Sequence, residues 1–432
     1  MKIFLSRGAM TKVQAAVLIA IVAVVVVAGV AYYAMRPPER PFKCEVCGAT
    51  FETEKELKTH IWDTHPIKIG GSLPLTGVFS ETGKWIERGY RYWAEEINAK
   101  GGLLGCRVEL IIYDDASEIG KAVTYLEKAI TVDKVDLLLG GYPGTACDAQ
   151  MPVAEKYKMV YNSMGGHMWS FERGYKYCFG GPPLMGQWWA DGFWKWIETL
   201  PPADRPTKAA ILSMNNVIGR ACRESILWGA GRVAVPVVVD EFYDLPLATA
   251  DPLVSKAKAA GADVLFANGF FADGVLTIRA CKALGYNPKF IFQSVGCIIP
   301  EWVKELGKDG DYVFSGTAMH YKLPFPGVAE LNKVAKEKFG EPVAPMYFLF
   351  GYCWMQVLQL AVEGAGSLKQ DAIRDYLRTR EISTIGGKFK FDERGLPAPY
   401  MYCTQVIDGK VELIWPLDVR TAEPVYPKPA WG

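Results

Sequence analysis

The sequence is poor in histidine, with four in 432 residues, and has no excess of either charge: 48 Lys and Arg stand against 47 Asp and Glu, a net +1. A chain so balanced has no global electrostatic reason to hold nucleic acid or an anionic surface. Glycine (43) and proline (27) are near ordinary usage and half the residues are hydrophobic, which excludes collagen-like repeats and extended disorder. There is no nucleophile elbow, zinc-protease H-E-x-x-H, phosphate loop or dinucleotide G-x-G-x-x-G turn. Asp114 and Asp115 form a carboxylate pair, but successive side chains at a strand end face apart, so shared acid–base work is not expected. No catalytic residue and no enzyme activity are expected. The length suits two or three domains.

What is present begins with 23 uncharged residues between Lys12 and Arg36, enough to cross a bilayer and longer than the apolar core of a cleavable secretory signal. Residues 13–35 therefore read as a retained anchor. Lys2, Arg7 and Lys12 precede it, and the positive-inside tendency keeps residues 1–12 in the cytoplasm and places everything after Arg36 outside the cell membrane. The flank Ser6-Arg7-Gly8-Ala9-Met10-Thr11 also resembles the pilin-like signals of archaeal surface-binding proteins, in which cleavage after Gly8 would leave the helix attached.

A proline-rich linker (36–41) leads into residues 42–65. There Cys44 and Cys47 are separated by two residues, Cys47 and His60 by twelve, and His60 and His65 by four. Two thiols from a hairpin and two imidazoles from a helix can share one Zn²⁺, with Phe42, Phe51 and Leu57 as a small apolar core. The spacing resembles a two-cysteine, two-histidine zinc finger, so a structural zinc is expected on Cys44, Cys47, His60 and His65. Lys43, Lys55 and Lys58 against Glu45, Glu52, Glu54, Glu56 and Asp63 give this segment a net charge of −2, which is ill suited to phosphates. A spacer or a contact module for a partner is expected there, not a nucleic-acid reader. A disulfide between Cys44 and Cys47 is the plain alternative.

From Ile67 onward, short apolar strands alternate with amphipathic helices. Strands are expected at 67–74, 106–114, 135–140, 159–163, 208–213, 235–243, 263–268 and 289–293. The helices between them include 117–131, 146–157, 218–231, 250–260 and 273–284. Two such series imply an α/β fold of two doubly wound lobes. In such sheets ligands sit beyond the carboxyl ends of the strands. That directs attention to the loops near Glu81 and Thr82, Tyr142 to Thr145, Ser163 to His167, Asn215 to Gly219, Gly269 to Asp273 and Ser294 to Gly296.

The runs IKIGGSLPLTGVFSETG, EEINAKGGL, YDDAS, PVAEKYKMVYNS, SFERGYKYCF and VELIWP resemble the substrate-binding proteins of branched-chain amino acid ABC transporters, which have the periplasmic binding protein type I fold. The resemblance spans about 350 residues in order. It implies lobe one at 67–184 and 317–385, lobe two at 185–316 and 386–416, a tail at 417–432, and crossings near Pro183, Gly316 and Gly386. It also implies hinge closure on a small solute, and delivery of that solute to an ABC permease. Carried over position by position, it puts Thr82, Gly144, Thr145, Gly165 and His167 in the lobe-one half of the site. Ile218, Phe270 or Phe271, and Ser294 face them from lobe two, with Tyr321 from the later lobe-one segment.

The acidic residue that meets the ligand ammonium in leucine-binding relatives aligns with Ser294, so an α-amino acid would need Asp273 or Glu81 in its place. Amino acids, amides, urea-like solutes, carboxylates and aromatic compounds remain as classes, the last favoured by Tyr142, Trp169, Phe270, Phe271 and Tyr321. A ligand-sensing receptor on the same fold, with the finger contacting a partner, is the alternative function. The aromatic run Trp188, Trp189, Phe193, Trp194 and Trp196 reads as core, with an association surface as the alternative. The eight cysteines beyond the finger read as small buried hydrophobes.

Overall fold

The computed structural model describes residues 11–34, 41–163, 165, 167–181, 188–398 and 401–432. They form two compact units, Met1–His65 and Pro66–Gly432. The leader residues up to Met10, most of the linker, and the crossing near Pro183 lie outside the described residues.

In the first unit, α1 (Lys12–Ala34) carries a span with a mean hydropathy of 2.9, none of it buried, long and apolar enough to cross a membrane. Ile19 is 71% and Val24 67% exposed, unlike the apolar residues of a soluble core helix. Beyond it, β1 (Phe42–Lys43) pairs antiparallel with β2 (Thr50–Phe51). The turn between them closes through Cys44 N–H to Ala49 O and Gly48 N–H to Cys44 O, both 2.8 Å. Gly48 sits at φ +78°, where a side chain would be strained. Helix α2 (Glu54–Thr64) starts at a capping box: the Thr53 hydroxyl accepts from Glu56 N–H, and the Glu56 carboxylate accepts from Thr53 N–H. Phe51 and Leu57 are half-buried as expected, but Phe42 is exposed, because a two-residue strand is too short to fold its ring over the helix.

In the second unit, lobe one opens with β3 (Ile67–Leu73), α3 (Ser80–Ala99), β4 (Val108–Asp114), α4 (Ile119–Thr131), β5 (Leu137–Leu138), α5 (Gly144–Lys156), β6 (Tyr161–Ser163), α6 (Met168–Phe171) and β7 (Cys178–Gly180). Lobe two comprises α7 (Asp191–Thr199), β8 (Ala209–Met214), α8 (Val217–Arg232), β9 (Val237–Tyr243), α9 (Asp251–Ala259), β10 (Val264–Asn268), α10 (Phe271–Ala283), β11 (Phe290–Gln293), α11 (Pro300–Leu306) and β12 (Val313–Thr317). The chain returns to lobe one for α12 (Val328–Phe339), α13 (Met346–Ala365), α14 (Gln370–Thr379) and the hairpin of β13 (Ile382–Thr384) and β14 (Gly387–Phe389). It ends in lobe two with β15 (Tyr402–Ile407) and β16 (Lys410–Trp415).

The lobe-one strands pair in parallel in the order β4-β3-β5, with β6 parallel to β7. Lobe two is one sheet in the order β16-β15-β12-β11-β10-β8-β9. Its strands β8 to β12 are parallel, and β15 and β16 close one edge antiparallel. Buried on both faces, the central parallel strands are nearly continuous apolar runs such as VLFAN and FIFQ, while the edge strand β9 alternates half-buried and exposed residues. The aromatic run resolves as core: Phe193 lies 5.4 Å from the Phe292 ring and 5.4 Å from Phe314, while Trp196 stacks on Phe314 at 4.9 Å. Of the five aromatics, Trp188 alone is left half-buried.

Two boundaries differ from the sequence reading. Gly386 lies inside the β13–β14 hairpin. The chain after it still belongs to lobe one, because Gly180 N–H donates to Gly395 O at 2.8 Å and Phe391 packs on Phe179 at 5.1 Å. Lobe one therefore extends at least to Pro397, which pairs with Phe391, past the crossing expected at Gly386. Nor are residues 417–432 a loose tail. Val425 exchanges hydrogen bonds with the Gln405 side chain, and Trp431 Nε1 donates to Tyr286 O at 2.9 Å.

Candidate functional site

In each lobe the strand order reverses beside one strand. Connections leave β3 and β5 in opposite directions in lobe one, and β8 and β10 do the same in lobe two. At such a switch point the loops splay and leave a crevice beyond the strand ends. The two crevices meet. Tyr142, Pro143, Gly144 and Gly165 from lobe one face Ile218, Phe270 and Val295 from lobe two, with Trp189 and Tyr347 completing the wall. The space they enclose is about 20 Å³, close to a single water.

Among the described residues, none that lines the crevice carries a charged side chain. Aromatic rings dominate it: Tyr142 packs on Tyr347 at 5.6 Å and on Phe270 at 6.3 Å, and Phe79 closes over Phe270 at 4.7 Å. Polar character comes from two sources. Helix α5 begins at Gly144, so the amides of Gly144 and Thr145 have no intrahelical acceptor and point their dipoles outward. The Tyr142 phenol is wholly buried, and burial pushes its pKa up, opposed by the neighbouring Tyr347 and Thr82 hydroxyls. Its oxygen still lacks a hydrogen-bond partner of good geometry among the described residues. Gly165 stands at φ +136°, which only glycine adopts readily, and its carbonyl accepts from the Ser163 hydroxyl at 2.7 Å.

The other expected site residues have different employment. His167 Nδ1 accepts from Trp169 N–H at 3.1 Å, so Nε2 carries hydrogen and meets the Glu224 carboxylate of lobe two at 3.0 Å. Its ring stacks on Trp169 at 3.7 Å. His167 thus ties the lobes together at the cleft's edge. Asp273 is buried behind the wall, accepting from Phe270 N–H at 3.1 Å and from the Tyr243 hydroxyl. Desolvation raises its pKa to about 6. The Ser294 hydroxyl turns to Gly269 O at 3.3 Å, and the Ser294 carbonyl accepts from Trp189 Nε1. Neither Asp273 nor Ser294 lines the crevice. Glu81 pairs with Lys84 on the exposed face of α3, and Phe271 starts α10 as the half-buried neighbour of Phe270. Tyr321 lines a different cavity, with its hydroxyl on Val411 O at 2.9 Å. Sequence reasoning missed Trp189, Val295 and Tyr347. Tyr347 opens the long helix α13, whose unbroken apolar run hides which first-turn residue reaches the cleft.

In the first unit, Cys44, Cys47, His60 and His65 bring one donor atom each to within 4.8 Å of one another. Cys47 Sγ and His65 Nε2 each lie 3.2 Å from His60 Nε2. Those separations are close to the edges of a tetrahedron of about 2.0–2.3 Å bonds. The donor set, two sulfurs and two imidazoles with the fourth ligand at the C-cap of α2, fits Zn²⁺.

Known proteins with this layout are numerous. The periplasmic binding protein family model matches residues 66–410. The Leu/Ile/Val-binding protein homolog 7 of Brucella abortus is 25% identical over 371 residues, covering 81% of this chain and 91% of that protein. An amino acid binding protein of Pseudomonas aeruginosa is 24% identical over 337 residues, covering 76% and 87%. Among solved structures, a leucine binding protein from Thermotoga maritima superposes with a TM-score of 0.71 at 22% identity, covering 81% of this chain and 97% of that one. A solute binding protein from R. palustris in complex with benzoate gives 0.72 at 17%, covering 81% and 95%. From residue 66 onward, two facing α/β lobes with a crevice at their switch points and a family match across that whole stretch lead to one conclusion: the chain belongs to the periplasmic binding protein family, type I.

Proposed function

We propose that the protein is a membrane-anchored solute-binding protein whose crevice, about 20 Å³ as it stands, widens by lobe opening to admit a small carboxylate with an apolar or aromatic body, closes on it, and passes it to an ABC permease. The observation that carries this reading is the uncharged aromatic crevice of Tyr142, Trp189, Phe270 and Tyr347, with the first amides of α5 at its edge. Helix-terminal amides satisfy a carboxylate, and the rings take a flat body. An α-amino acid would bring an ammonium with no carboxylate among the lining residues, a heavy cost in a closed crevice. Family members bind and release solutes; the benzoate-bound relative shows that an aryl carboxylate is a ligand this fold can accept. The exposed apolar helix α1 supports anchoring, with the binding lobes on the extracellular side. Cys44, Cys47, His60 and His65 would hold a structural Zn²⁺, which supplies folding energy to a unit with almost no core of its own.

The test is isothermal titration of the full chain in lipid nanodiscs with benzoate, leucine, acetamide and urea. Saturable benzoate binding, at least tenfold tighter than leucine, is expected. Leucine binding tighter than benzoate, or no heat from any of the four, overturns the reading.

A further inference from the structure

A second cavity of about 490 Å³ opens elsewhere between the lobes and shares no lining residue with the crevice. Lobe two supplies Val303 of α11 and the β15–β16 turn at Gly409 to Val411, while lobe one supplies Tyr321 and the stretch from Glu341 to Met346. Its size suits a small molecule, and pockets between domains are favoured places for one. The walls are mostly carbon, from proline, valine, isoleucine and methionine side chains.

The charges around it are unequal. Lys304 of lobe two is neutralised by Glu341 of lobe one at 2.7 Å, and Lys322 by Glu412 at 2.6 Å. Lys410, the exposed first residue of β16, makes no ion pair among the described residues. A cavity with carbon walls and one uncompensated ammonium at its rim selects a ligand with an apolar body and a single negative charge. A cation would meet repulsion, and a neutral body would leave the ammonium unused. We infer that this cavity is a second solute site, distinct from the crevice, for a small apolar monocarboxylate. Because both lobes contribute walls, the occupant would bridge them.

The test titrates the full chain in nanodiscs with cyclohexanecarboxylate, and with cyclohexylmethanol as its uncharged counterpart. Saturable binding of the carboxylate, at least fivefold tighter than the alcohol, is expected. The carboxylate should show two binding events, one at the crevice and one at this cavity; the second should be abolished in Val303→Trp, which fills the cavity, and weakened at least fivefold in Lys410→Glu. Lys410 is exposed at the start of β16, so that variant reads the question even where Val303→Trp fails to fold. No saturable binding, equal affinity for the alcohol, or unchanged affinity in either folded variant overturns the proposal. Neither variant touches the crevice, so failure here is separable from failure of the benzoate titration.

Discussion

Phe79 of lobe one meets Phe270 of lobe two edge to face, their ring centroids 4.7 Å apart. This contact joins the lobes at the crevice without a hydrogen bond or an ion pair, so its strength depends on shape alone. An aromatic pair of this kind contributes about 0.5–1.5 kcal/mol beyond its buried area. Phe79→Ala should therefore weaken solute binding roughly three- to tenfold and populate a more open form, seen as a larger radius of gyration in solution scattering. Unchanged affinity and unchanged scattering would show that the pair does not hold the lobes together.

The Tyr142 hydroxyl is buried without a partner of good geometry among the described residues. Removing it should have opposite effects on the two states. Tyr142→Phe relieves an unsatisfied group, so the ligand-free protein should gain about 1 kcal/mol in urea unfolding. If the phenol is the polar handle for solute, the same variant should bind benzoate several-fold more weakly. A loss of stability in Tyr142→Phe would contradict the orphan reading of this hydroxyl.

Burial raises the Asp273 carboxyl to about 6, against roughly 3.9 in an unfolded chain. Between those values the folded state binds the proton and the unfolded chain does not, so this group makes stability fall as pH rises through the window. Asp273→Asn carries no charge at any pH. Its stability relative to the parent should therefore improve from pH 4 to pH 7, by a change on the order of 3 kcal/mol at most. Taking the difference from the parent removes the matching contribution of Asp115, raised to about 6 by the same cause. A difference that stays flat across this range would sink the assignment.

Four donors within 4.8 Å of one another predict a metal stoichiometry. The full chain should carry one zinc by elemental analysis, and Cys44→Ser should lose it. Chelation should also render the 42–65 segment sensitive to limited proteolysis. Equal zinc in parent and variant would rule the cluster out.

The alternation of strands and helices after Ile67 was legible because each buried parallel strand is a short apolar run bounded by turn residues, so both lobes and most element ends follow from the sequence. Spacing alone picked out the four residues whose donor atoms the fold gathers within 4.8 Å of one another. The crevice was half legible. Gly144, Gly165 and Ile218 follow from loop positions beyond strand ends, whereas Asp273 and Ser294 sit in the same loops and turn away. Nothing in a sequence says whether an N3 aspartate caps its own helix or faces a ligand; here the Phe270 amide and the Tyr243 hydroxyl had already claimed it. The third crossing was misplaced because Gly386 looks like a hinge and is a hairpin turn. Trp189 and Tyr347 reach the crevice through packing across the lobes, which periodicity does not encode.

The cysteines of this chain differ widely in access. Cys222, Cys281, Cys297 and Cys353 are buried, with thiols pushed up to about 12 by desolvation. At neutral pH only about one in 10⁵ is thiolate, the nucleophilic form. Cys47, in contrast, stands exposed at the finger. With the metal removed, alkylating reagents and oxidants would therefore meet Cys47 and the partly exposed Cys106 of lobe one first, but reach these four buried thiols only as fast as the lobes unfold. The rate of buried-thiol labelling thus measures global opening of the binding domain, with the finger as an internal fast reference in the same molecule.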